Sequence, residues 1–404
     1  MGAIVDLILG IVTSIGGFVE VGSISTSAQA GAEFGFQLLW AVAAAGVMLA
    51  MLVEMSGRLA AVSKRPLAAA VRDRFGIDFQ VVPLAAEFVV DVLLLAAEIG
   101  GAAIAVKLLT GIGYLWWVVP VGAAAWLVLR IFGFGLIEYG IGLLGLVTLC
   151  FVVSAFKLEP SATELGRAML PSLPTHDHIR YAFIAVSIVG ATVSPYLLSF
   201  YASGTVEEDM QEKDLWVNTT TSYVGTAFGS VVSMGILVSS AMVLAPQGLR
   251  VESFDDAVPM LAPVFGHWAL TLFAASLGIG CFGAAVEIAL NAGYTFAQVT
   301  GLSWGANKKR RNAPAFTRAF TIVLLLSVAV ALLGFDPLRM TMICVALTVI
   351  VMPLLVLPFL VLMNDKRYVG EHVNGPFRNG FLAALTVLGA LLALVVVPLE
   401  ILGG

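Results

Sequence analysis

Apolar runs of about twenty residues recur from one end of this chain to the other, and each is long enough to cross the hydrocarbon core of a bilayer as a helix. With 60% hydrophobic and 12% charged residues over 404 positions, and a mean hydropathy of +1.00, the runs take up most of the sequence. In hydrocarbon every backbone N–H and C=O must be satisfied within its own segment, and for runs of this length the solution is the α-helix. The chain is therefore expected to form one all-α integral membrane domain, residues 1–404, of about 11 transmembrane helices. The expected spans are 4–32, 34–59, 83–109, 114–131, 132–156, 178–203, 215–244, 267–301, 314–334, 338–363 and 380–402. The fourth and fifth are divided by little more than Arg130.

The first residues, MGAIVDLILGIV, lack a basic region and do not read as a cleaved signal peptide. Cys150, Cys281 and Cys344 all lie inside apolar runs, where they are expected as buried small hydrophobes. They have no metal-ligand spacing and imply no disulfide framework. Basic residues concentrate in alternate loops. Fifteen of the 21 Lys and Arg fall after the second, fourth, sixth, eighth and tenth spans, from Arg58 to Arg378. Positive charge favours the cytoplasmic side, so the expected orientation is N-terminus inside and C-terminus outside, in the plasma membrane.

Two spans carry interruptions. In the sixth, Gly190-Ala191-Thr192-Val193-Ser194-Pro195-Tyr196 sits in mid-membrane. Pro195 removes a backbone donor and disfavours helical geometry at Ser194. In the first, Gly16-Gly17, Glu20, Gly22 and Ser23 interrupt an apolar run, followed by Ser25, Thr26 and Ser27. The breaks lie five spans apart. Two five-span halves, each opening with a discontinuous helix, form the pattern of an inverted-repeat secondary transporter, whose binding site lies at the breaks. Freed carbonyls there can coordinate a cation, with a carboxylate supplying charge.

The same residues resemble the Nramp family of divalent metal transporters. Its Asp-Pro-Gly-Asn motif matches Glu20-Val21-Gly22-Ser23, with FGFQLLW (34–40) fixing the register. Its Ala-x-x-Met-Pro-His motif matches Ala191 to Tyr196. Further matches are AEIGGAAIAVKLL (97–109), LNAGYTFAQVTG (290–301) and LPFLVLMNDKRYVGEHVN (357–374). The resemblance implies a LeuT-like fold of two inverted five-helix repeats, here about 1–156 and 178–363, with an extra helix near 380–402.

It also implies a metal site at Glu20, Ser23, Ala191 and Ser194, with Gly22 and Tyr196 beside it. Glu20 stands for the family's Asp, Ser23 for its Asn and Ser194 for its Met. An oxygen in place of a thioether moves the expected preference away from Fe²⁺, Zn²⁺ and Cd²⁺ and toward hard ions. The family's two histidines of the sixth helix match Tyr196 and Tyr201. The acidic residue before its third-helix glutamate matches Leu95, whereas Glu98 is retained. Most groups that titrate in proton coupling are thus absent, a set of losses that resembles the Nramp-related magnesium transporters.

Other polar residues lie within spans, where a charge is costly. Glu87, Asp91 and Glu98 fall on one helical face of the third span. They either line a cation pathway or pair with Lys107, Arg130 or neighbouring hydroxyls. Glu287 and Asn291, four apart in the eighth span, are further candidates to face the cavity. Glu54 and Glu138 lie nearer the cytoplasmic ends and read as structural. His176, Asp177 and His178 read as a solvated outer loop, and Glu207 to Asp214 as a solvated helix end.

The expected function is transport of a hard divalent cation, Mg²⁺ first and Mn²⁺ next, by alternating access with weak or no proton coupling. An organic amine or amino acid as substrate, or a non-transporting sensor or partner subunit, are the alternatives. The expected partners are the ion and the lipid bilayer, with no nucleic acid and no resident cofactor. A phosphate loop, an HExxH motif and a nucleophile–base pair are all missing from the sequence, so no enzyme is expected.

Overall fold

The computed structural model describes residues 20–402 apart from 173 and 175, and leaves out the side chains of 138 and 310. The expected interruption at Gly16-Gly17 and the side chain of Glu138 therefore lie outside the described residues. Every described element is helical. The chain runs through α1 (Val21–Phe34), α2 (Leu39–Ser63), α3 (Leu67–Phe75), α4 (Ile77–Thr110) and α5 (Leu115–Ile131). It continues through α6 (Phe134–Gly145), α7 (Leu149–Lys157), α8 (Ala162–Ala168), α9 (His178–Thr192), α10 (Pro195–Glu207) and α11 (Leu215–Val243). The short α12 (Phe254–Ala257) and α13 (Ala262–Phe265) precede α14 (Ala269–Val299), α15 (Pro314–Ala331), α16 (Pro337–Leu362), α17 (Lys366–Val369) and α18 (Pro376–Ile401).

Among the described residues nine helical segments are long and apolar enough to cross a membrane, and α5 falls one residue short of that length. With α1, the described half of the first span, the eleven expected spans are accounted for. Three boundaries differ from expectation. Residues 67–75 form α3 rather than a loop, since an Ala-rich stretch between Pro66 and Gly76 favours a helix. The third span starts at Ile77, six residues before Pro83, and the proline is carried inside α4. The fifth span is divided by a tight 3₁₀ turn at Leu146–Thr148.

Contacts between loops sort the helix ends onto two faces. On one face Lys64 donates to the Met210 carbonyl at 2.8 Å, Arg74 pairs with Asp365 at 3.4 Å, and His372 meets Glu212 at 2.8 Å. The Phe134 N–H donates to Asn307 on that side at 3.1 Å. Asp365 also caps α17 there, and its hydrogen bonds with Arg367 hold its carboxyl at about 2, below the usual carboxylate range. On the opposite face Lys107 pairs with Asp255 at 2.9 Å, Tyr114 donates to the Phe335 carbonyl at 3.2 Å, and Arg180 pairs with Glu33 and Glu400. The basic loops after the second, sixth, eighth and tenth spans thus share one face, as alternation through the membrane requires.

Buried apolar side chains form two clusters, one toward each face. They meet at mid-depth. Along α4, Leu95 belongs to one cluster and Ala97 to the other; across the sixth span, Ala191 belongs to one and Ile188 to the other. The start of α1 and the break in the sixth span fall at this seam. The broadest helix–helix interface joins α4 to α14, while α1 and α9 pack on each other and on α16. Large apolar side chains such as Trp116, Phe156 and Phe377 point outward, which suits a surface solvated by lipid.

Candidate functional site

The break in the sixth span follows from its sequence. α9 ends at Thr192 and α10 starts at Pro195, the helix position where a missing N–H costs nothing. Ser194 between them is extended, as the residue before a proline prefers. The Ala191 carbonyl has lost its helical donor, because the residue four ahead is Pro195. Close approach is built in as well. A Cβ on Gly190 would lie 1.7 Å from the Val345 carbonyl oxygen, and one on Gly22 would lie 3.0 Å from both Ala191 and Val345. Glycine at these two positions lets α1, α9 and α16 converge.

Glu20 stands at the N-cap of α1 in extended geometry. Its side chain is 2% exposed and accepts from the Tyr196 hydroxyl at 3.0 Å and the Ser194 hydroxyl at 3.4 Å. The first N–H of α1, on Val21, has no partner within its own helix. Glu98 of α4 supplies one, accepting it at 3.3 Å. Among the described residues the other Glu98 oxygen has no N–H or O–H partner, and the Cys281 thiol of α14 lies against the carboxyl. Glu287 of α14 is close enough to Glu20 and Glu98 for their charges to act on one another. The positive ends of α1 and α10 also point into this region.

The structure therefore brings together Glu20, Ser194, Tyr196, Glu98 and Glu287, with Ala191 and Gly22 forming the wall. Ser23 is placed otherwise: it lines a separate small cavity with Thr192, Thr226 and Ser233. Asn291 turns to the other half of the acidic face, donating to Glu87 at 3.0 Å and to Asp91 at 3.4 Å. The Ser199 hydroxyl also bonds Glu87. Sequence reasoning missed Ser199, Gln80 and Cys281. Gln80 had a signal, since it lies seven residues before Glu87 on the same helical face. Ser199 and Cys281 had none, because tertiary packing alone brings them in.

Pairing of the acidic face with Lys107 or Arg130 does not occur. Lys107 bonds Asp255, and Arg130 lies over the Trp126 ring at 5.3 Å. Glu20, Glu87, Asp91, Glu98 and Glu287 are all buried, and among the described residues none forms an ion pair with Lys, Arg or His. Buried carboxylates without a cationic partner call for either protons or a bound cation. No three His, Cys, Asp or Glu among the described residues stand close enough to hold a metal by themselves. A cation at the break would take its remaining ligands from hydroxyl, carbonyl and water oxygens, as hard divalent ions do. Outside the spans, His176 stacks on Phe34 at 5.0 Å and Asp177 caps α9.

Comparison with solved structures supports this arrangement as a fold. The Eremococcus coleocola manganese transporter, in complex with an aromatic bis-isothiourea substituted compound, superposes with a TM-score of 0.77 at 19% identity. That match covers 98% of this chain and 86% of the other. The nucleobase-cation-symport-1 transporter Mhp1 gives 0.65 at 15% identity, covering 96% and 91%. MhsT in complex with L-phenylalanine gives 0.61 at 14%, covering 96% and 97%. The fold is thus the LeuT-like one, two inverted five-helix repeats, with the sixth helix discontinuous between Thr192 and Pro195. The model of the Nramp family, described as natural resistance-associated macrophage protein-like, matches residues 10–398. The chain is a multi-pass membrane transporter, not an enzyme, and belongs to the Nramp family.

Proposed function

We propose that this chain carries a hard divalent cation, Mg²⁺ in preference to Mn²⁺, across the plasma membrane by alternating access, with little or no proton coupling. The observation that carries the reading is the set of buried, unpaired carboxylates at and beside the helix break. A passing divalent ion is the natural counter-charge for Glu20 with Glu98 or Glu287. The donors are oxygen. Ser194 stands where relatives have methionine, which removes the soft ligand that favours later transition metals. Glu20, the Ala191 carbonyl, Ser194 and Tyr196 are the protein ligands, and a Mg²⁺ ion would keep several waters. Ser23 joins only after α1 moves against α9. Tyr196, Tyr201 and Leu95 replace titratable groups of the family, which argues for weak coupling. The basic face described above is the cytoplasmic one by the positive-inside rule, with the N-terminus on that side. The name of the Eremococcus coleocola protein, a manganese transporter, is consistent with a divalent cargo.

An organic substrate is less well served. The Tyr196 hydroxyl is committed to Glu20, the Tyr201 hydroxyl accepts from Ser222 at 3.4 Å, and Phe200 packs between Phe134 and Tyr294. The test is ion flux into proteoliposomes with Mg²⁺, Mn²⁺ and Ca²⁺ in parallel, recording internal pH. Uptake of Mg²⁺ and Mn²⁺ with little acidification is expected. Calorimetric binding of an amine with no divalent flux would overturn the reading in favour of an organic carrier. Folded protein that moves no divalent ion would favour a sensor or partner subunit.

A further inference from the structure

Away from the break, the acidic face of α4 holds a second constellation that the proposed transport site does not use. Glu87 and Asp91 are 2% exposed and face α14, about 16 Å and about 10 Å along the helix from Glu98 at ~1.5 Å per residue. Asn291 donates to both carboxylates, and Thr295 donates to the Asn291 amide oxygen at 3.4 Å. Neither carboxylate has a Lys or Arg ion-pair partner among the described residues. Beside them is a cavity of about 10 Å³, lined by Gln80, Glu87 and Ser199 with apolar neighbours from α3 and α16. Gln80 is 2% exposed, and its amide oxygen has no hydrogen-bond partner. Leaving a buried amide oxygen unsatisfied is costly unless something else occupies the space it faces. The cavity has room for one water-sized occupant.

We infer that Gln80, Glu87 and Ser199 form a second divalent-cation site between the helix break and the N-terminal end of α4, with Asp91 and Asn291 bracing Glu87 from the next turn. The inference rests on reading the chain as a divalent-cation carrier. A carboxylate, an amide oxygen and a hydroxyl make a hard oxygen donor set around a space for one small ion, and Asp91 adds negative charge one turn away. On the N-in orientation, the site is an inner station through which an ion leaving Glu20 passes toward the basic face. Two stations of moderate affinity let an ion enter readily and still leave.

The test counts bound Mn²⁺ on the purified full chain in detergent, following free Mn²⁺ by electron paramagnetic resonance. Two ions are expected for the wild type, one for Glu87→Gln with Asp91→Asn, and one for Glu20→Gln. A single ion that Glu20→Gln removes and the double variant retains overturns the inner site and leaves the break site standing. A single ion that only the double variant removes does the reverse. Should the double variant lose its thermal unfolding transition, Gln80→Glu decides. A second carboxylate on the same cavity should lower the inner-site Kd about tenfold, and an unchanged Kd overturns the proposal.

Discussion

On the proposed reading a single side chain decides which ion the break favours. Ser194 places a hydroxyl beside Glu20, 3.4 Å away, where the family motif has a thioether. Ser194→Met should raise preference for Mn²⁺ over Mg²⁺ about tenfold, roughly 1.4 kcal/mol, in competitive uptake. No change in the ratio would remove Ser194 from the ion's coordination. Tyr196 holds the other Glu20 oxygen. Tyr196→Phe leaves that buried oxygen without its donor and should destabilise the protein by about 1–3 kcal/mol, read as a lowered Tm. The loss should shrink on addition of Mg²⁺, because the ion satisfies the same oxygen. At this scale the sequence was informative where chemistry is local. Pro195 announces its own break, and a carboxylate amid glycines and serines marks the start of α1. It was silent where the partner is far along the chain. Nothing in the sequence shows that Glu98 caps α1 across 77 residues, or that Asn291 holds Glu87 across 204.

At the scale of elements, the broken sixth helix is held against α16 with no room to spare. Gly190→Ala would drive a methyl into the Val345 carbonyl, a backbone atom that cannot turn aside. The expected cost is about 1–3 kcal/mol or more, with α9 displaced and transport reduced, as seen in thermal melts and uptake. Alternating access also needs clasps that open in turn. On the basic face, Glu54 of α2 pairs with Arg58 at 3.0 Å and with Arg378 at the start of α18, and Arg58 reaches the Asn374 side chain at 2.8 Å and the His372 carbonyl. On the other face, Arg180 ties α9 to Glu33 of α1 and Glu400 of α18. Glu54→Gln should loosen the first clasp alone. Hydrogen exchange should then speed up at the start of α18 and stay unchanged around Arg180. These clasps were not legible beforehand. Glu54 reads as structural from its place near a helix end, yet its partner lies 324 residues away. Likewise Lys107, a candidate partner for the acidic face, finds Asp255 in the short α12, between spans where hydropathy is blank.

For the whole molecule, the recurrence of apolar runs dictated the architecture, because in hydrocarbon such runs can only be helices. The break in the sixth span fell where Pro195 places it, and the loop charges anticipated which helix ends share a face. The contacts that collect the basic loops on one face follow from that alternation. What hydropathy could not supply was which polar side chains would end up unpaired, since that depends on every neighbour at once. Placing the basic face in the cytoplasm predicts that a tag on the C-terminus is reached by antibody from outside intact cells, and a tag on the N-terminus is not. The central claim is that the buried carboxylates are matched by a divalent cation in transit. Its most direct test is initial uptake of Mg²⁺ and Mn²⁺ into proteoliposomes holding equal amounts of folded wild type or Glu20→Gln. The account predicts robust uptake by the wild type and near loss with the variant for both ions, whereas equal uptake by the two proteins would contradict it.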